Sequence, residues 1–205
     1  MTRKISNICI IIGTVLIISA LAIAAWNNAE NQRAQFYATK TVKKLINEIG
    51  NKKEKNEVVS HSNNLVSLPD PYDTEMTEIE IDGIKYIGYI SIPDYKLELP
   101  VTSDWNYEYL KNSPCRYYGS TKTDNLILAA HNYRSHFGYI KRLMPGDDVV
   151  FTDMDGITTH YKVVDTEVLN PTAIEDMKSG GYALTLFTCT YGGKSRVAVR
   201  CDIQK

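Results

Sequence analysis

The chain has 205 residues, enough for one domain of ordinary size plus some non-globular sequence but short of two full domains. Its 23 Lys and Arg balance 24 Asp and Glu to a formal charge of −1, which excludes the basic footprint that a nucleic-acid partner needs. Four cysteines without a C-x-x-C pair exclude a disulfide scaffold and a structural zinc site, and 14 Tyr against 4 Phe and 2 Trp fit a half-wet β surface better than an oily helical core.

The first element in chain order is apolar. Residues 8–26, ICIIIGTVLIISALAIAAW, carry no charge and as a helix would span about 28 Å, close to the thickness of a bilayer core. Arg3 and Lys4 precede this run and the next basic residue is Arg33. The positive-inside rule therefore predicts a cytoplasmic tail over 1–7, a single-pass transmembrane anchor over 8–26 and an extracellular remainder. Ala22-Ile23-Ala24 also fits a signal-peptidase site, and the cleaved reading exports the rest of the chain equally well. Cys9, inside this run, reads as a small buried hydrophobe.

Residues 27–70 are predicted to be a helical stalk and linker. Asn27 to Ile49 contain no Pro or Gly, and Phe36, Ala38, Val42, Leu45 and Ile49 recur near helical spacing. Asn51 to Asn64 are polar and charged, with His61 read as a solvated histidine, and Leu68-Pro69-Asp70-Pro71 resists regular structure. A folded domain is accordingly placed at 71–205.

Within that domain seven β-prone runs follow one another: IEIDGIKYIGYISI, LELPVT, NLILAAH, DDVVFTD, HYKVVDTEVL, YALTLFTCT and SRVAVRCDI. Asp82-Gly83, Pro145-Gly146, Asp155-Gly156 and Gly192-Gly193 fall between runs, where turn chemistry belongs. The fold class is mostly β, a closed barrel or sandwich.

Two of these runs end on residues able to do chemistry. Cys189 closes an apolar strand and precedes the turn Tyr191-Gly-Gly-Lys194, and His131, followed by Asn132, closes another. A nucleophilic cysteine works as the thiolate and so needs a cation or an imidazole nearby. If Ser195 to Cys201 is a strand, Arg196, Ala198 and Arg200 share one face, and Arg196, nearest the turn, is best placed to reach a site at the strand end. By themselves these positions leave the bland reading open, in which a Cys in an apolar run is core packing.

TLFTCT followed by GGKSR resembles the T-L-x-T-C signature of the sortases with its downstream Arg, and ILAAHN resembles the strand-end His of the same family. IGYISIPDYKLELPV and the pair FGYIKRL and PGDDVVF are similar to further blocks of the family in the right order, so the resemblance runs from Tyr86 to Asp202. It implies a sortase-type closed β-barrel with short helices, in which Cys189, His131 and Arg196 converge. The implied chemistry is transpeptidation: a Cys thioester is formed on an LPxTG-like sorting motif near the carboxyl terminus of a secreted protein and is transferred to an amine of a peptidoglycan precursor or a pilin Lys. The resemblance makes Thr188 a candidate for the substrate groove, with a plain strand-forming role as its equal alternative, and Asn132 is a second candidate contact that could instead cap its turn. No cofactor and no metal are implied. Two other readings stay open, a sortase-fold cysteine protease that hydrolyses its peptide and a non-catalytic sortase-like binding module. Closeness to class B or clostridial-type sortases is the finest class reading the motifs support.

The remaining candidates read as structural. His136 and His160 are expected on the surface or in a strand, and Asp147, Asp148, Asp153 and Asp155 as solvated turn carboxylates rather than a calcium site. Cys115 and Cys201 are expected to be free, partly buried thiols.

Overall fold

The computed structural model describes residues 2–60 and 74–204; His61, the rest of 61–73 and the side chain of Cys9 lie outside the described residues. At Asp82-Gly83 both residues take positive φ, 53° and 78°, which turns the chain through a two-residue hairpin with Ile81 opposite Ile84. The first predicted run is thereby split into β1 (Ile79–Ile81) and β2 (Ile84–Ile92). Then come β3 (Leu97–Thr102), β4 (Cys115–Tyr118), β5 (Leu126–Ala129), β6 (Asp148–Asp153), β7 (Thr158–Leu169), β8 (Leu184–Cys189) and β9 (Arg196–Ile203). β4 is the strand that the sequence pattern missed: it is four residues long, carries a bulge, and CRYY shows no apolar alternation.

The strands pair in the order β1-β2-β3-β4-β5-β8-β9-β7-β6, and β6 returns to pair with β2, closing an eight-stranded barrel with β1 on its rim. Inward residues fill the barrel, among them Ile90, Leu99, Leu128, Phe151, Leu186 and Val199. Closure leaves only the short β1 as an open edge.

The first helix, α1 (Thr2–Ser60), is continuous, so the predicted anchor and stalk are one element and the expected linker is helical as far as Ser60. The large apolar side chains of its amino-terminal part, from Ile8 to Trp26, are exposed, and this part is long and apolar enough to cross a membrane. Further along, the helix lies against β2 and β3 and buries Ala34, Ala38, Val42, Leu45 and Ile49. Phe36 departs from the expected stripe and is 73% exposed, because two residues from Ala38 correspond to about 200° around a helix. Tyr37 and Tyr86 share a hydroxyl hydrogen bond of 2.6 Å, and Lys52 pairs with Asp155.

Two short helices cover the outside of the barrel on one side. α2 (Tyr107–Leu110) brings Leu110 onto Cys115 and Ala129, and α3 (Ile174–Lys178) brings Met177 onto Ile127 and Ala198. The buried Arg200 fastens α3: Nη1 and Nη2 donate to the carbonyls of Met177 and Asp176 at 2.7 and 2.6 Å, and Nε donates to Glu167.

Asp147, Asp148, Asp153 and Asp155 each have a separate task. Asp147 accepts from the backbone of Met144, Asp148 pairs with Lys162, Asp155 pairs with Lys52, and Asp153 accepts from the backbones of Asp155 and Ile157. Asp153 is buried rather than solvated, and burial raises its pKa against the pull of those two N–H groups. Cys115 and Cys201 are free and fully buried, one under α2 and the other inside the barrel, and burial pushes the Cys201 thiol up to about 12.

Candidate active site

Side chains alternate across a strand, and that alternation decides which residues can meet. On β8, Leu184 and Leu186 point into the barrel, so Thr185, Phe187 and Cys189 point out. β9 lies antiparallel to β8 with Cys189 opposite Arg196 and Phe187 opposite Ala198. Directly opposite residues share a face, so Arg196 and Cys189 are cross-strand neighbours on the outer surface.

On its other side β8 runs parallel to β5, with Ile127 opposite Thr185 and Ala129 opposite Phe187. Carried past the last pair, this register leads the segment ending in His131 towards the end of β8 that carries Cys189. Past the end of β5 the chain stays on β8: the Ala130 N–H donates to the Phe187 carbonyl at 3.2 Å, and the Thr188 hydroxyl donates to the Ala130 carbonyl at 2.8 Å. Cys189 and Arg196 are thus paired on the outer face, and His131 follows two residues after the end of β5, next to β8.

His131 is half-buried, and its pKa is lowered first by desolvation and then by the nearby Lys111 charge at the end of α2. Neutral imidazole, the form that can take a proton, is favoured. The Arg196 guanidinium donates from Nη1 to the carbonyls of Gly193 and Ser195, at 3.1 and 3.2 Å, so the turn after β8 holds it at the site mouth. Both bonds use one nitrogen of a group with five N–H donors. Arg200, a third residue along the same face, is committed to α3, and Lys194 is exposed in the turn.

Thr188 departs from the groove position. It points inward, is 4% exposed and spends its hydroxyl on Ala130, because one residue from Cys189 means the opposite face of the strand. It links β8 to the segment leading into His131. Asn132 is half-buried directly after His131.

His136 is the second departure. It is fully buried rather than a surface residue, because the loop after His131 folds inward: the N–H groups of His136 and Gly138 donate to the Tyr133 carbonyl and that of Phe137 to the His131 carbonyl. The Tyr133 ring stacks on His131 at 4.9 Å and lies 5.5 Å from His136 on its other side. Desolvation, with a smaller push from His131, lowers His136 to about 4, and the Asn112 backbone offsets only part of this. The ordinary value of 6.5 applies in the unfolded chain, which therefore takes up the proton first as pH falls. The resulting stability is intact above about pH 6.5 and is lost as pH falls towards about 4, an effect of about 3 kcal/mol. His131 acts in the same direction. Melting midpoints measured from about pH 7 to about pH 4.5 should fall less for His136→Phe than for the wild type; parallel falls would refute the account.

Sequence reasoning missed an aromatic wall. Tyr117 meets Phe187 edge-on at 5.2 Å, Trp105 meets Tyr117 at 6.4 Å, and Tyr107 packs on Trp105 at 4.7 Å. Phe187 is two residues from Cys189 on the same face, so the wall leads from the site to an open cleft of about 530 Å³ lined by Ser103, Trp105, Arg116 and Tyr117. The available signal was the pair Trp105 and Tyr107 in an otherwise polar stretch; both are more than 40% exposed, at 42% and 67%.

The sortase domain family model matches residues 90–204. Sortase C from Clostridium perfringens is 26% identical, with a TM-score of 0.52 over 81% of this chain and 90% of that one. A sortase D5 transpeptidase from Clostridium perfringens and sortase C from Streptococcus pneumoniae share the fold at 17% and 18% identity. Their TM-scores are 0.60 and 0.58, covering 82% and 81% of this chain and 99% and 97% of theirs. No curated protein matches. With its domain matched over more than half its length, its closed barrel and its strand-end Cys, the chain belongs to the sortase family, whose members are cysteine transpeptidases.

Proposed function

We propose that the chain is a membrane-anchored sortase that cleaves an LPxTG-like sorting motif of secreted proteins and transfers the acyl group to an amine. The cross-strand pair of Cys189 and Arg196, with His131 two residues beyond the end of the neighbouring β5, carries this reading. His131 takes the Cys189 thiol proton, the resulting thiolate attacks the carbonyl of the Thr-like residue, the C–N bond breaks, and His131 passes that proton to the departing amine. The acyl group is then a thioester on Cys189. An incoming amine, from a peptidoglycan precursor or a pilin Lys, loses a proton to His131, attacks the thioester and releases the Cys189 sulfur. Arg196 donates hydrogen bonds to the substrate backbone or to the developing oxyanion. Asn132 is a further substrate contact, and the aromatic wall would receive apolar side chains of the motif. A pilin acceptor gains support from sortase C of Streptococcus pneumoniae, whose structure was analysed for pilin substrate specificity.

Residues 8–26 anchor the chain, with 1–7 in the cytoplasm, 27–70 as stalk and linker, and 71–205 as the extracellular catalytic domain. The exposed apolar helix supports this placement.

Incubating the full chain with LPxTG-like peptides and an amine acceptor should give amide-linked product, and Cys189→Ala should lower its rate by at least about 10⁴-fold. Undiminished product from Cys189→Ala would remove the nucleophile and the mechanism with it.

A further inference from the structure

The helix that carries the anchor touches the loop that carries His131 at one defined point. Asn31 lies five residues beyond Trp26, and its Oδ1 accepts the Ser135 N–H at 2.8 Å. Ser135 belongs to the loop between His131 and the 3-10 turn Phe137–Arg142, and both Ser135 and His136 are buried.

This loop is closed on itself. Three backbone hydrogen bonds, of 2.8 to 3.1 Å, tie Phe137 to His131 and tie His136 and Gly138 to Tyr133, and the Tyr133 ring stacks on His131 and lies tilted against His136. It therefore moves as a block, with His131 at one end. A tether on Ser135 sets where the whole block sits, and on the helix side that tether is Asn31. Ala34 and Ala38 lie one and two turns further along the same stripe and bring the helix close enough for a short side chain to reach. A buried Ser135 N–H deprived of Asn31 would be an unpaired donor, beside a Ser135 hydroxyl already without a partner.

We propose that Asn31 is a positioning residue, a latch through which the anchor helix holds the His131 loop at the height on β5 and β8 where the imidazole meets the Cys189 thiol. This rests on the reading of His131 as the acid and base of the reaction. The charged and titratable groups that act on or are acted on by His131 are Lys111 at the end of α2 and His136, which lies tilted against Tyr133.

The test uses the full chain in detergent micelles, with Asn31→Ala and Asn31→Asp compared with the wild type. Asn31→Ala should lower kcat by about 10-fold or more, with KM for the peptide within about twofold, because misplacing a proton-transfer group costs turnover rather than binding. Its His131 ring, followed by NMR titration, should move up towards the ordinary histidine value as the loosened loop admits water. Asn31→Asp keeps an oxygen acceptor and should restore most of both properties. Wild-type kcat in Asn31→Ala, an unmoved His131 titration, or a loss that Asn31→Asp does not rescue would each overturn the latch. The NMR arm reads the latch without any turnover. A wild type lacking Cys189-dependent product would instead count against the proposed function.

Discussion

Arg196→Met should lower turnover by about 10²–10³-fold while leaving the melting midpoint close to wild type, and Arg200→Met should do the reverse. The two arginines lie on one face of β9, four residues apart, yet their surroundings differ in kind. Arg196 is half-buried at the site mouth and gives one nitrogen to the carbonyls of its own turn, so its loss leaves no buried charge behind. Its remaining donors are available for an oxyanion. Arg200 is 2% exposed and holds Glu167, Thr185 and two carbonyls of α3. Its removal strands those acceptors and should cost about 2–4 kcal/mol. Steady-state rates and thermal melts on both variants decide the matter: a stable, fully active Arg196→Met chain would take that residue out of the mechanism.

A chain beginning at Thr74 should fail to fold cooperatively, whereas one beginning at Asn28 should keep the fold. Between them lies the docked part of α1. Leu45, Val42 and Ile49 are at most 8% exposed, and burying side chains of this kind stabilises by roughly 1.5–3 kcal/mol each. The sum, about 5 kcal/mol or more, is comparable with the whole stability of a typical domain, about 5–15 kcal/mol. The ion pairs of Lys44 with Asp82 and Lys52 with Asp155 add little, since exposed and half-exposed pairs are worth less than about 1 kcal/mol. Circular dichroism melts of the two pieces provide the measurement; a sharp transition in the shorter one would show that the barrel does not need the helix.

Much of this fold could be read from the residues because local patterns agreed with the final packing. Turn dipeptides at Asp82-Gly83, Asp155-Gly156 and Gly192-Gly193 sit where strands reverse, and apolar alternation in LTLFTC and RVAVRC sorts inner from outer faces. What depended on long-range pairing could not be read. Nothing in NLILAAH states that β5 runs parallel to β8, and only that pairing brings Ala129 opposite Phe187 and leads the segment ending in His131 towards the Cys189 end of β8. Thr188 was assigned to the groove by its neighbour's motif, although a one-residue step along a strand reverses the face. His136 looked like a surface residue by type, and only the inward loop that buries it shows otherwise. The stalk helix showed its periodicity, but periodicity does not say what the stripe will touch.

The parallel pairing of β5 with β8 also bears on how the protein comes to exist. Antiparallel neighbours such as β1 with β2 and β6 with β7 join through short turns, but β5 and β8 are separated in the chain by two strands and their connections. Closing so long a loop costs entropy before any contact compensates it, so this pairing belongs to the late stages of folding. Until it forms, the segment that carries His131 is not held along β8, and the barrel that encloses Cys201 is incomplete. In an oxidising compartment the race is between barrel closure and thiol oxidation, and Cys201 is shielded only when closure wins.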